Sequence, residues 1–272
     1  MFAEKFAVTT ARNAGGRLVD IAKAWAEELQ VPYVARSRNI TLEKLLVEQG
    51  VEAFLIAQVK GAEVYSPTGC FAYHPNMAAL RILEMQRGLH DNFVTALELK
   101  PGMRVLDCTL GLAADAAVAA YVVGPTGRVV GLEASPLVHF AVKHGLEHYV
   151  TKYPWFDEAI RRIATVRTVA EDYLSSLLAE QQEGAAAPFD VIYFDPMFHH
   201  GVKGSLAMDS LRPLSYDRPL NRRTLELTVQ LAPRVVIKER SEFRLQEYGC
   251  HEFFGGKSSR VKFGILRGKN EA

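Results

Sequence analysis

Phe189-Asp190-Val191-Ile192-Tyr193-Phe194-Asp195-Pro196-Met197-Phe198-His199-His200 is the stretch from which the rest of the chain is read. Four apolar residues, Val191 to Phe194, predict a strand buried on both faces, which is the habit of a parallel sheet covered by helices. The strand runs directly into Asp195-Pro196-Met197-Phe198, so a carboxylate, a rigid proline and an aromatic ring stand at its C-terminal end, where open α/β sheets hold their ligands. Such a set suits a flat, amine-bearing group: the carboxylate accepts N–H bonds, the proline fixes the backbone and the ring offers a stacking face. Taken alone, the same letters also describe a strand followed by an ordinary Asp-Pro turn.

Upstream of this stretch the pattern repeats. Strands at 104–108, 128–133 and 164–169 alternate with helices at 113–121, 136–149 and 172–181, and a helix at 220–231 and a strand at 234–238 follow, the signature of a parallel sheet. The end differs in kind. Two extended runs, 250–254 and 260–266, flank Gly255-Gly256 and predict an antiparallel hairpin closing the sheet. The first ninety residues read as a smaller α/β unit: a strand at 5–10, a helix carrying Leu18, Ile21, Ala22, Trp25 and Leu29 on one face, a strand at 31–36, a helix at 42–49 capped by Thr41 and ended by Gly50, and a hairpin around Lys60-Gly61. The expected division is a small N-terminal α/β domain over residues 1–88 and a larger domain over 89–272. His74-Pro75 interrupts helix between them, so His74, Tyr73 and Arg81 are candidate contacts beside a ligand cleft.

The totals bound the functional classes. With 49% hydrophobic and 23% charged residues in 272, the chain has ordinary globular composition. Cys70, Cys108 and Cys250 are odd in number and widely spaced, which disfavours a disulfide framework and a zinc site and fits a reducing cytoplasm. The longest apolar run, Ala116 to Val123, is too short to cross a bilayer, so a soluble protein without membrane or metal partners is expected. The charge is unevenly placed: 18 Lys and Arg against 23 Asp and Glu give −5 over residues 1–196, and 14 against 8 give +6 over 197–272. Lys203, Arg212, Arg218, Arg222 and Arg223 can track a phosphate backbone, or form a plain solvated surface.

Three strand ends carry chemistry. The strand at 104–108 delivers Asp107 and Thr109, a turn at Gly111, and the helix start Ala113-Ala114-Asp115. The glycine spacing of a pyrophosphate cradle is missing, because Gly111 stands alone. Glu133, 26 residues after Asp107, is placed to accept from two ribose hydroxyls. Glu171-Asp172 follows the next strand, where Asp172 either faces an adenine amine or caps its helix. An adenosine-sized ligand without phosphates, bordered by Asp195, points to S-adenosylmethionine. His199 and His200 are adjacent, so they do not share a metal, and a loop or substrate contact suits them better.

On the stretches DCTLGLAAD, GLEASP and YFDPMF, with His200 and Lys203 nearby, the chain resembles class I S-adenosylmethionine-dependent methyltransferases and, more narrowly, the J-type family of small-subunit ribosomal RNA guanine-N2 methyltransferases. The resemblance extends over Phe71 to Leu266. It implies a Rossmann-like seven-stranded sheet, S-adenosylmethionine as cofactor, cofactor contacts at Ala114, Asp115, Glu133, Ala134, Glu171, Asp172 and Asp195 beside the Asp107, Thr109 and Gly111 cradle, and ribosomal RNA or a small-subunit particle as partner. It also implies a reaction at Asp195, Pro196, Met197 and Phe198, with His200 and Lys203 toward the substrate, to which the linker position adds Arg81 and His74. The sequence departs from the family at Ala113, where a second glycine is usual, at Ala114 and Ala134, where arginine is common, and at Glu171-Asp172, which replace small hydroxyl residues. A small-molecule or protein N-methyltransferase, and a non-catalytic RNA-binding module on the same fold, are the two other classes the residues allow.

Overall fold

The computed structural model describes residues 5–75, 77–181, 186–196, 220–256 and 261–268. By its contacts the chain divides into two compact units; the first holds the described residues up to His74 together with 135–150, and the second holds the rest.

In the first unit a four-stranded sheet has the order β1-β2-β3-β4, formed by β1 (Phe6–Thr10), β2 (Ala53–Gln58), β3 (Gly61–Ser66) and β4 (Gly69–Ala72). β1 and β2 run parallel, and β2, β3 and β4 form antiparallel neighbours. Helices α1 (Gly16–Leu29) and α2 (Leu42–Gln49) complete the unit, with the Thr41 hydroxyl accepting from the Lys44 N–H at the start of α2 and Gly50 in the left-handed region at its end, as the sequence predicts. Ala7, Leu45, Leu46, Phe54 and Ile56 are the buried centre. The expected strand at 31–36 is reduced to one bridge, Val8 to Tyr33, with the Val8 N–H donating to Pro32 O at 2.9 Å and the Val34 N–H to Val8 O at 2.8 Å. Pro32 has no N–H to extend the ladder.

The second unit is a seven-stranded sheet of order β10-β11-β9-β8-β5-β6-β7. Its strands are β5 (Arg104–Asp107), β6 (Arg128–Glu133), β7 (Ile163–Arg167), β8 (Val191–Phe194), β9 (Arg234–Glu239), β10 (Glu252–Phe254) and β11 (Lys262–Arg267). The five strands from β5 to β9 pair in parallel, and β11 and β10 close the edge in antiparallel fashion. All four β8 residues are buried, as a strand flanked by β5 and β9 must be. Leu106, Val130, Ile192, Phe194, Val235 and Ile237 share one core with Leu225 and Leu231; each such side chain gains about 1.5–3 kcal/mol by burial.

The helices are α3 (Ala78–Gln86), α4 (Asn92–Leu97), α5 (Ala114–Val123), α6 (Pro136–His148), α7 (Pro154–Arg161), α8 (Ala170–Glu180), α9 (Arg222–Leu231) and α10 (Glu242–Glu247). The division by contacts departs from a cut at residue 88 in two ways. α3 packs on α5 and goes with the second unit, whereas α6 goes with the first. Phe140 and His144 of α6 meet the Trp25 ring edge-on at 5.2 and 4.9 Å, and Gly145 lies so close to Tyr73 that an added Cβ would fall 2.2 Å from that ring. Among the described residues no helix is long and apolar enough to cross a membrane.

Candidate active site

The chain passes from β5 outward to β6 and β7, then returns to place β8 on the other side of β5. The C-terminal ends of β5 and β8 therefore flank the point where strand order reverses, and this is where an open α/β sheet holds a ligand. Asp107 ends β5 and Asp195 follows β8. The Thr109 hydroxyl joins them: it donates to Asp107 Oδ1 at 3.3 Å and accepts the Asp195 N–H at 2.6 Å, while the Thr109 N–H donates to the same Asp107 oxygen at 2.9 Å.

The turn after β5 is shaped by two small residues. Gly111 has φ +47°, with no atom closer than 3.8 Å to the place of a Cβ, so its surface stays open. Ala113 adopts φ +58°, a left-handed conformation that an alanine takes only at a cost. This explains why glycine is usual at that position. The turn is also pressed onto β6: an added Cβ at Gly131 would lie 2.3 Å from Leu110 Cδ1, and the Leu110 N–H donates to Leu132 O at 2.9 Å.

Asp115, in the first turn of α5, is the centre of a charged network. Arg81 donates to Asp115 Oδ1 at 2.6 Å and grips both oxygens of Asp91 at 2.7 and 2.9 Å. Asp91 in turn caps α4 by accepting the Phe93 and Val94 N–H groups. On the other oxygen, Asp115 accepts the Tyr193 hydroxyl at 2.7 Å and the Lys238 ammonium at 3.0 Å. Lys238 also donates to Asp195 Oδ2 at 2.7 Å. Among the described residues, Asp195 Oδ1 accepts nothing from a side chain.

Burial and neighbours sort these carboxylates. Burial opposes ionisation of Asp115, but the Lys238 ammonium and Arg81 guanidinium outweigh it and bring its pKa down to about 2. Among the described residues no cation acts on Asp107; burial, reinforced by the charges of Asp115 and Asp195, raises it to about 7. Asp195 is raised by burial, with Lys238 acting against the rise, and Lys238 itself is held protonated because the two carboxylates overcome its burial.

The remaining expected contacts are distributed differently. Glu133 ends β6 half-buried, and Ala134 beside it is half-buried as well. Glu171 accepts from Asn221 Nδ2 at 3.0 Å and from the Thr224 hydroxyl at 3.4 Å, so its carboxylate fastens the start of α9. Asp172 is exposed in the first turn of α8, whose N-cap is Val169 without a side-chain bond, so the capping alternative for Asp172 does not occur. Ala114 opens α5. Arg81 faces its two aspartates rather than standing free for a substrate, and His74, in the first unit, packs edge-on against Tyr149 at 5.6 Å. Pro196 follows Asp195 half-buried. Met197, Phe198, His199, His200 and Lys203, with Arg212 and Arg218, lie outside the described residues. Arg222 and Arg223 are exposed, and Arg222 pairs with Glu226 at 3.0 Å.

Lys238 is the site residue the sequence reading missed. Its signal was present: Val235 to Ile237 of β9 are apolar and Lys238 follows them, and the register of Phe194 with Ile237 puts the next residues, Asp195 and Lys238, side by side.

The donor set suits S-adenosylmethionine. Acceptor groups at the ends of β5, β6 and β8 match a ligand that carries a sulfonium, an amino group and ribose hydroxyls, and the open Gly111 turn admits it. The comparisons with known proteins agree. Residues 70–262 match the family model described as "Putative SAM-dependent methyltransferase". The chain belongs to this family. It is a class I S-adenosylmethionine-dependent methyltransferase with S-adenosylmethionine as its cofactor. An uncharacterized protein of Bacillus subtilis, YpiP, is 32% identical over 96% of this chain and 98% of its own length. The ribosomal RNA small subunit methyltransferase J of Thioalkalivibrio sulfidiphilus is 30% identical over 84% of this chain and 86% of its own. A solved SAM-dependent methyltransferase of Neisseria gonorrhoeae has the same fold, with a TM-score of 0.63 at 17% identity and 97% of each chain covered. Among the described residues, no group of three or more His, Cys, Asp or Glu is arranged to hold a metal ion.

Proposed function

We propose that this methyltransferase modifies the exocyclic amine of a guanine base in ribosomal RNA. The observation that carries the reading is Asp195 at the strand-order reversal, with one oxygen tied to Lys238 and its main chain tied to Thr109. Relatives named as ribosomal RNA small subunit methyltransferase J support the substrate class.

When bound, S-adenosylmethionine supplies an activated methyl carbon, so the protein's work is alignment of the nucleophile. A guanine amine is a weak nucleophile, because its lone pair is delocalised into the ring. Asp195 Oδ1 and the Pro196 carbonyl accept its two N–H bonds and favour a pyramidal nitrogen, whose surplus proton is lost late. From the sequence resemblance, Phe198 is assigned to stacking on the base and Met197, His200 and Lys203 to contact with it. Asp107, Thr109, Gly111, Ala114, Asp115, Glu133 and Ala134 hold the cofactor; Glu171 and Asp172 stand at the adenine side. Arg81 acts through Asp91 and Asp115. Arg222 and Arg223, with Lys203, meet RNA phosphates, and a reducing cytoplasm suits the free Cys108 and Cys250.

The test is transfer of labelled methyl to RNA or small-subunit particles from a strain lacking the gene, followed by nucleoside mass spectrometry. Label in N2-methylguanosine is expected. Label in a metabolite or peptide with none in RNA overturns the reading in favour of a small-molecule or protein N-methyltransferase.

A further inference from the structure

We propose that Lys238 is a positioning residue for methyl transfer: its ammonium fixes one oxygen of Asp195 so that the other is presented, ionised, to the incoming amine. The inference rests on the reading of Asp195 as the amine acceptor and assigns a role to a residue outside the expected site.

The geometry is specific. Lys238 Nζ lies 2.7 Å from Asp195 Oδ2 and 3.0 Å from Asp115 Oδ2, so it bridges two carboxylates that would otherwise repel across the strand ends of the sheet. Its side chain is 21% exposed, between carboxylates at 13% and 29%, so the pair is sheltered enough for the charges to matter. The main chain fixes the other end of Asp195 through its N–H bond to Thr109, and the parallel register of β8 with β9 holds Lys238 beside it. With its backbone N–H and Oδ2 both anchored, the orientation of the carboxylate, and with it the direction of Oδ1, is restrained.

Lys238 is unsuited to be the base, because the carboxylates around it keep it protonated. Its effect must therefore pass through Asp195. The charged or titratable groups facing Asp195 are Lys238 and Glu239 from β9, Asp115 from α5, Asp107 from β5 and Tyr193 from its own strand. Among the described residues Lys238 is the only cation in that group, so its loss leaves Asp195 among the acids there, and its carboxyl must then titrate at higher pH.

Lys238→Met and Lys238→Arg test this in the full chain, after a thermal melt and calorimetric S-adenosylmethionine binding show which variants are folded. The Asp195 side chain is titrated by carboxyl-carbon NMR, with its signal assigned by its loss in Asp195→Asn. In Lys238→Met the midpoint is expected to rise by about one to three pH units, and the acid limb of the kcat profile, measured at saturating S-adenosylmethionine, to rise with it. Lys238→Arg keeps the charge but not the point geometry, so its midpoint stays near wild type while kcat falls, by up to about 100-fold. If Lys238→Met does not fold, the Arg variant alone decides: wild-type kcat there overturns the positioning role. An unmoved Asp195 midpoint in folded Lys238→Met, or a kcat loss with an unchanged pH profile, also overturns it. A wild type that labels no RNA removes the guanine reading instead, and the titration still decides whether Lys238 controls Asp195.

Discussion

The two acidic regions at the sheet's C-terminal edge look alike in sequence and differ in physics. Around β5, β8 and β9, Asp107, Asp115 and Asp195 are enclosed and joined to Arg81, Lys238, Tyr193 and Thr109. Along the β6 and β7 side, Glu133, Glu171 and Asp172 are half-buried or exposed, and Glu171 fastens α9 instead of a cation. The first region is a network of paired, enclosed charges; the second is a rim of more exposed acids. Carboxylates therefore acquire their function from enclosure and partners, which residue type alone does not specify.

Substitutions test this contrast. Asp115→Asn removes one of the two carboxylate partners of Arg81 and of Lys238, which keep Asp91 and Asp195, and a loss of about 1.5–3 kcal/mol is expected in denaturant unfolding. Gly131→Ala pushes a methyl into Leu110 behind the cofactor turn; a loss of about 1–3 kcal/mol is expected, together with weaker S-adenosylmethionine binding by calorimetry. Glu171→Gln keeps an acceptor for Asn221 and loses at most about 1 kcal/mol. If Glu171→Gln cost as much as Asp115→Asn, the contrast between the two regions would be void.

A pH series sharpens the same contrast. Asp107 titrates at about 7 in the folded protein, above its ordinary value, so the folded state binds the extra proton and stability falls as pH rises from about 4 to 7. Asp115, at about 2, acts with opposite sign: its contribution is full above about 4 and is lost as pH falls toward 2. Asp107→Asn should flatten the upper slope and leave the lower one in place, as followed by urea unfolding of the ligand-free protein across pH 2–8.

Much of this was legible from the chain. The strand-helix alternation from Arg104 onward gives the parallel sheet, and the glycine-centred hairpin gives its antiparallel edge, because both depend on local periodicity and turn chemistry. The short helices α4, α7 and α10 and the strand β4 were not read from the sequence; equally short elements were read where a marker stood beside them, the Thr41 cap and Gly50 for α2 and the unbroken apolar run for β8. α6 was read as a helix, but its place with the first unit depends on Trp25 and Tyr73, far away in sequence. At the site, Asp107, Asp115 and Asp195 stood out as acids at strand and helix ends. The role of Arg81 in holding Asp91 and Asp115, and the presence of Lys238, follow from register and tertiary approach, and neither is written in local pattern.

In the proposed function Asp195, at the end of β8, holds the amine. Asp195→Ala, assayed for labelled methyl transfer to RNA alongside calorimetric S-adenosylmethionine binding and a thermal melt, tests it most directly. The expected outcome is a folded protein that still binds S-adenosylmethionine and has lost at least about 1000-fold in transfer; full turnover in that variant would rule out Asp195 as the amine acceptor.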